Sequence, residues 1–157
     1  MTSAQISIRP VRENEIDLVL EFIRELAEYE HLSHEVSATA DNLRLALFGP
    51  RPQAEAVMGC IDGQACGFAL FFHNFSTFLG KPGLYLEDLY VRPAARGRGL
   101  GSYLLAWLAR LALDRGRAGA WPRGLGRHAP PLSEARAVVE ARAQASPQVG
   151  RAVQGSV

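Results

Sequence analysis

The chain has 157 residues, 48% of them hydrophobic and 21% charged, which is the length of one domain and excludes intrinsic disorder. A formal net charge of +1 gives no global field toward nucleic acid or an anionic membrane, and no apolar run approaches a membrane span. Two cysteines, Cys60 and Cys66, make no disulfide framework, so a reduced, cytoplasmic setting without a signal peptide is the expectation.

Ile6 to Val11 alternates and predicts a first strand, with Pro10 near its end. Glu13 to Tyr29 carries Ile16, Val19, Leu20, Phe22, Ile23 and Leu26 at helical spacing, with Glu13 or Asn14 at the cap and acidic residues opposite. His31 to Ser37 predicts a linker, and Thr39 to Phe48 a shorter helix stopped by Gly49-Pro50. Ala54 to Ile61 and Gln64 to Phe72 predict two strands joined at Asp62-Gly63, a hairpin turn pair. Asn74 to Pro82 is expected as a loop, and Gly83 to Val91 as an apolar strand ended by Pro93. After an Arg/Gly-rich loop at Ala95–Gly99, Leu100 to Asp114 predicts an amphipathic helix with Gly116 just past its end. The order β-α-α-β-β-β-α implies an α/β (α+β) fold, with helices packed on a mixed, mostly antiparallel sheet.

A seam follows Gly116. Residues 1–116 carry a net charge of −3 and 12 of the 13 aromatics; residues 117–157 carry +4, with Trp121 alone. Ala, Arg, Gly and Pro fill 24 of those last 41 positions. The division into a folded unit, 1–116, and an atypical tail, 117–157, rests on this contrast. A natural basic tail and a change of reading frame in a GC-rich gene are both open. Within the tail only Ser133–Ala145 has helical composition. Six arginines without interleaved aromatics do not make a nucleic-acid surface, and His31, His34, His73 and His128 show no metal spacing with the cysteines.

The chemistry concentrates at Arg96-Gly97-Arg98-Gly99-Leu100-Gly101-Ser102, between an apolar strand and a helix. Glycines permit turns that a Cβ forbids, so successive N–H groups can converge where the helix dipole is positive. Arg96 and Arg98 add charge, and a pyrophosphate suits such a cradle. The spacing is neither a dinucleotide fingerprint nor a P-loop; an isolated loop of this kind also serves as a tight turn, and its position after a long strand favours the anion site.

This loop resembles the Gln/Arg-x-x-Gly-x-Gly/Ala signature of the GNAT superfamily of acetyl-CoA-dependent N-acetyltransferases, and the element order matches that family's first seven elements. More narrowly, the chain resembles the spermidine/spermine (diamine) acetyltransferase branch, through Ile8-Arg9-Pro10, Ile23-Arg24-Glu25-Leu26-Ala27-Glu28-Tyr29-Glu30, Leu84-Tyr85-Leu86-Glu87-Asp88-Leu89-Tyr90-Val91 and Gly101-Ser102. The resemblance implies acetyl-CoA as acetyl donor and a small diamine, polyamine or lysine-like amine as acceptor; no metal is expected, and the sequence does not fix the oligomer, a homodimer being one open alternative. It implies that Leu89, Tyr90 and Val91 meet the pantetheine arm, that Arg96, Gly97, Arg98, Gly99, Leu100, Gly101 and Ser102 hold the pyrophosphate, and that Tyr29, Glu30 and Glu87 face the amine, Glu87 being catalytic.

An alkylamine has a pKa of ~10, so on the order of one molecule in a thousand is neutral at pH 7, and only that form attacks a thioester. A carboxylate can draw the cation in and relay its proton through water. Glu87 and Asp88 are neighbours on a strand, whose alternation sends one to each face, and the resemblance selects Glu87. Family members also have a fifth strand with an Asn near its end and a helix with a Phe-Tyr pair. This chain has no Tyr after Tyr103 and no Asn after Asn74. The alternative function is therefore a catalytically inactive acetyl-CoA-binding or interaction module whose C-terminal strands are missing.

Overall fold

The computed structural model describes residues 4–77 and 80–118. The helix expected at 133–145, the sequence around Trp121 and the place of any fifth strand lie outside the described residues.

Four strands form one antiparallel sheet in the order β1-β2-β3-β4, with β1 at Ile6–Pro10, β2 at Glu55–Ile61, β3 at Gln64–Ser76 and β4 at Lys81–Val91. Helices α1 (Ile16–Tyr29) and α2 (Ala40–Phe48) cover one face, and α3 (Leu100–Ala118) covers the other. Strand alternation divides the core accordingly. Val57, Ala69, Phe71, Leu86, Leu89 and Val91 pack toward α3, whereas Met58, Cys60, Phe68 and Tyr90 pack toward α1 and α2. Phe22 of α1 stacks on Phe68 with ring centroids 5.6 Å apart, seating the apolar stripe of α1 on the sheet.

Local chemistry sets the ends of these elements. Thr39 caps α2 by accepting from the Asn42 N–H, and Asn42 Oδ1 accepts from the Thr39 N–H in return. The entry to α1 is a short 3-10 turn at Glu13–Glu15. There Glu15, rather than Glu13 or Asn14, accepts from the Arg12 N–H and pairs bidentately with Arg9 at 2.6 and 2.9 Å. His31 takes a left-handed φ of 60° after α1, so that the Leu32 N–H donates to the Ala27 carbonyl. The linker at His31–Ser37 contains a further 3-10 turn, Ser33–Glu35.

Two expectations need correction. Asn74 to Pro82 is not a loop: β3 runs to Ser76, β4 starts at Lys81, and Asn74 and Phe75 pair with Gly83 and Pro82. A strand pair continues while cross-strand partners support it, and the Phe72 and Tyr85 rings, 4.9 Å apart, supply that support. Gly116 does not follow α3 but lies inside it, since the helix continues to Ala118. A glycine there costs about 1 kcal/mol relative to alanine, which the packing of the preceding turns offsets.

Gly59 of β2 places the N-terminus of α3. A Cβ at Gly59 would lie 2.9 Å from the Leu100 side chain, so its absence lets the first residue of α3 sit directly on the sheet. The glycine-rich loop is thereby held at the C-terminal end of β4.

Candidate active site

Three structural pieces meet at this end of the sheet: the last turn of α1, the C-terminal half of β4, and the loop into α3. The register of β4 steps from Leu70↔Asp88 to Phe71↔Leu86, which leaves Glu87 as the extra residue of a β-bulge. A bulge bends the strand and re-aims the extra side chain. Glu87 is exposed, while Asp88 is partly buried beside it. Asp88 is two residues from Tyr90 on the regular part of the strand, and so shares the face that packs toward α1. Burial, followed by the nearby charges of Glu87 and Glu30, pushes the Asp88 carboxyl up to about 6. Glu30 is the residue following α1, so the chain end of that helix adds a third carboxylate to the group.

Beyond the bulge, the outer edge of β4 has no neighbour among the described strands. The Arg92 N–H donates inward to the Cys66 carbonyl at 2.8 Å. Since main-chain direction alternates along a strand, the N–H and C=O groups of Val91 and Leu89 point to the outer edge. Those of Tyr90 point inward, so Tyr90 does not share the edge geometry of its two neighbours. Its phenol is hydrogen-bonded to Glu25 and, through burial first and that bond second, is pushed up to about 12.

Gly97 and Gly99 take φ values of 74° and 87°, and no atom lies within 4 Å of the position a Cβ would occupy at either. The loop is thus open and held in a conformation suited to glycine. The first helical hydrogen bond of α3 runs from the Tyr103 N–H to the Gly99 carbonyl at 3.0 Å. Leu100, Gly101 and Ser102 precede it, and their N–H groups form the positive end of the helix. Arg98 is exposed on the same loop. An open cradle at a helix N-terminus beside an outward-facing strand edge fits a diphosphate followed by an amide-bearing arm.

Arg96 is directed elsewhere. Its Nε–H donates to the Val91 carbonyl at 2.9 Å, and its guanidinium carbon lies 4.7 Å from the centre of the Tyr29 ring and 5.8 Å from that of Tyr90. The structure therefore joins a residue expected on the phosphate to one expected on the amine. Sequence reasoning also passed over Arg92. That side chain pairs with Glu21 and, at 2.8 Å, with Glu25, and lies 4.7 Å over the Phe22 ring. The spacing of Glu21 and Glu25, one helical turn apart, was the available signal for a shared cation. Among the described residues, no group of His, Cys, Asp and Glu could hold a metal ion, and no helix is long and apolar enough to cross a membrane.

The sequence model of the acetyltransferase (GNAT) family matches residues 19–127, beyond Gly116. Thialysine N-epsilon-acetyltransferase of Bos taurus is 38% identical over 121 residues, covering 72% of this chain and 71% of that protein. Spermidine/spermine N(1)-acetyltransferase-like protein 1 of Homo sapiens is 30% identical over 113 residues, 68% of this chain but 16% of that protein. An aminoglycoside acetyltransferase from an uncultured soil metagenomic sample, solved with sisomicin, superposes with a TM-score of 0.59 at 13% identity. It covers 80% of this chain and 96% of that structure, and shows the common fold. A catalytically inactive module finds no support in these comparisons.

Proposed function

This chain belongs to the GNAT family of acetyltransferases, and from that premise we propose that it moves an acetyl group from acetyl-CoA to a primary amine of a small diamine, polyamine or lysine-like substrate. The observation that carries the acceptor class is the bulge at Glu87, which sets an exposed carboxylate beside Asp88, a carboxyl that also feels the charge of Glu30. Like charges held together are relieved by a cation, and an alkylammonium supplies one. A second amine or an amino-acid backbone gives the remaining carboxylates something further to hold. Relatives named for thialysine and for spermidine/spermine agree with that chemistry.

Acetyl-CoA supplies the thioester. The N–H groups from Gly97 to Ser102 and the Arg98 side chain hold its diphosphate, and the outward-facing main chain of Leu89 and the Val91 N–H guide its arm, the Val91 carbonyl being taken by Arg96. Glu87 draws the ammonium group in and accepts its proton through water; the freed amine lone pair attacks the acetyl carbon, the thioester C–S bond breaks, and the departing CoA thiolate takes up the second amine proton by way of solvent. Tyr29 and Glu30 bound the acceptor from the α1 side. The bulge matters here because a regular strand would give Glu87 a cross-strand partner instead of exposing it at the rim.

The test is acetyl transfer to spermidine, putrescine, lysine and thialysine, comparing wild type with Glu87→Gln. Loss of a general base typically costs ~10²–10⁴-fold in rate, and the amide cannot attract the cation. Turnover unchanged in Glu87→Gln would overturn the assigned role.

A further inference from the structure

We propose that Arg96 is a positioning residue whose side chain holds Tyr29 at the acceptor entrance, while only its main chain belongs to the diphosphate loop. The proposal rests on the acetyltransferase reading above and divides the work of the two loop arginines.

The guanidinium of Arg96 has three engagements, all with β4 and α1. Its Nε–H is committed to the Val91 carbonyl, one plane lies over the Tyr29 ring, and Tyr90 stands further off on the sheet side. Tyr90 is in turn fixed by its hydrogen bond to Glu25. Arg96 is partly buried, which strengthens an arginine–aromatic contact relative to one in bulk water. Tyr29, by contrast, is the last residue of α1 and 46% exposed, and the Arg96 guanidinium covers one face of its ring. A chain of contacts therefore runs from the β4 edge through Arg96 to Tyr29. Arg98 has the complementary character: it is exposed, between two open glycines, at the N-terminus of α3.

Lysine cannot replace Arg96, since it lacks both the planar face and the Nε–H.

Two affinities separate the roles: acetyl-CoA for the free protein, and spermidine for the CoA-loaded protein, both by calorimetry. Arg96→Ala and Arg96→Lys should weaken spermidine about tenfold and leave acetyl-CoA within about twofold; Arg98→Ala should do the reverse. Tyr29→Ala should match Arg96→Ala, and the double variant should be no weaker than either. Unchanged melting temperatures exclude a folding defect. Weakening of acetyl-CoA by Arg96→Ala as strong as by Arg98→Ala, or additive effects of the Tyr29 and Arg96 variants, would overturn this proposal alone. A wild type that binds no acetyl-CoA, or whose CoA-loaded form binds no spermidine, would overturn the function proposed above together with it.

Discussion

Replacing Asp88 by asparagine should stabilise the protein, and only above a defined pH. The fold raises this carboxyl from its ordinary 3.8 to about 6, through burial and then through Glu87 and Glu30. At 1.36 kcal/mol per pH unit, that difference corresponds to roughly 3 kcal/mol. The sign follows from proton binding. Below pH 3.8 the carboxyl is protonated in both states and contributes nothing. Between 3.8 and about 6 the folded state holds the proton more tightly, so stability falls as pH rises. Above about 6 the ionised group stands in the fold and the full penalty remains. Asp88→Asn removes the ionisation, and thus should add up to ~3 kcal/mol at pH 8 and close to nothing at pH 3.5. At 2–4 °C per kcal/mol for a chain of this size, the melting temperature should rise by about 6–12 °C at pH 8. Thermal unfolding followed by circular dichroism across pH 3.5–8 measures it. A rise equal at both ends of that range, or a fall at pH 8, would refute the account of how Asp88 is held. Retaining a carboxyl at such a cost beside the bulge is the pattern of a functional site. The same substitution should lower acetyl transfer.

Two other outcomes can be measured independently. Gly99→Val introduces a β-branched side chain at a φ of 87° and fills the open cradle at the N-terminus of α3, so calorimetric binding of acetyl-CoA should be lost; affinity equal to wild type would show that the loop does not hold the diphosphate. Glu15 is held down to about 2, foremost by its hydrogen bonds to Arg9, so its contribution is present above pH 4.5 and lost as pH falls through about 2. Glu15→Gln should destabilise by about 1–3 kcal/mol at pH 7 and by well under about 1 kcal/mol near pH 2, and a pH-independent difference would contradict the ion pair.

Periodicity by itself carried most of the fold. Apolar spacing from Ile16 to Leu26 and from Leu100 onward, alternation at Ile6–Pro10, and the Asp62-Gly63 turn are all signals made by residues near one another in the chain. The glycine loop was equally legible, because conformational freedom at Gly97 and Gly99 belongs to those residues alone. The length of the β3–β4 hairpin was not legible, since pairing at Asn74 and Phe75 depends on partners across the sheet. Alternation alone could not place Glu87 and Asp88. A bulge is a property of two strands in register, and neither strand announces it. Asp88 owes its raised carboxyl first to burial and then to Glu87 and Glu30, and both the burial and the approach of Glu30, distant in sequence, come only when α1 docks. Arg96 shows the same limit most clearly. Sequence placed a cation in a loop expected to bind an anion, and only the folded chain turned its guanidinium back onto Val91 and Tyr29. Side-chain direction is decided by whichever partner the tertiary fold brings within reach, whereas helix, turn and loop are decided by forces that act within a few residues.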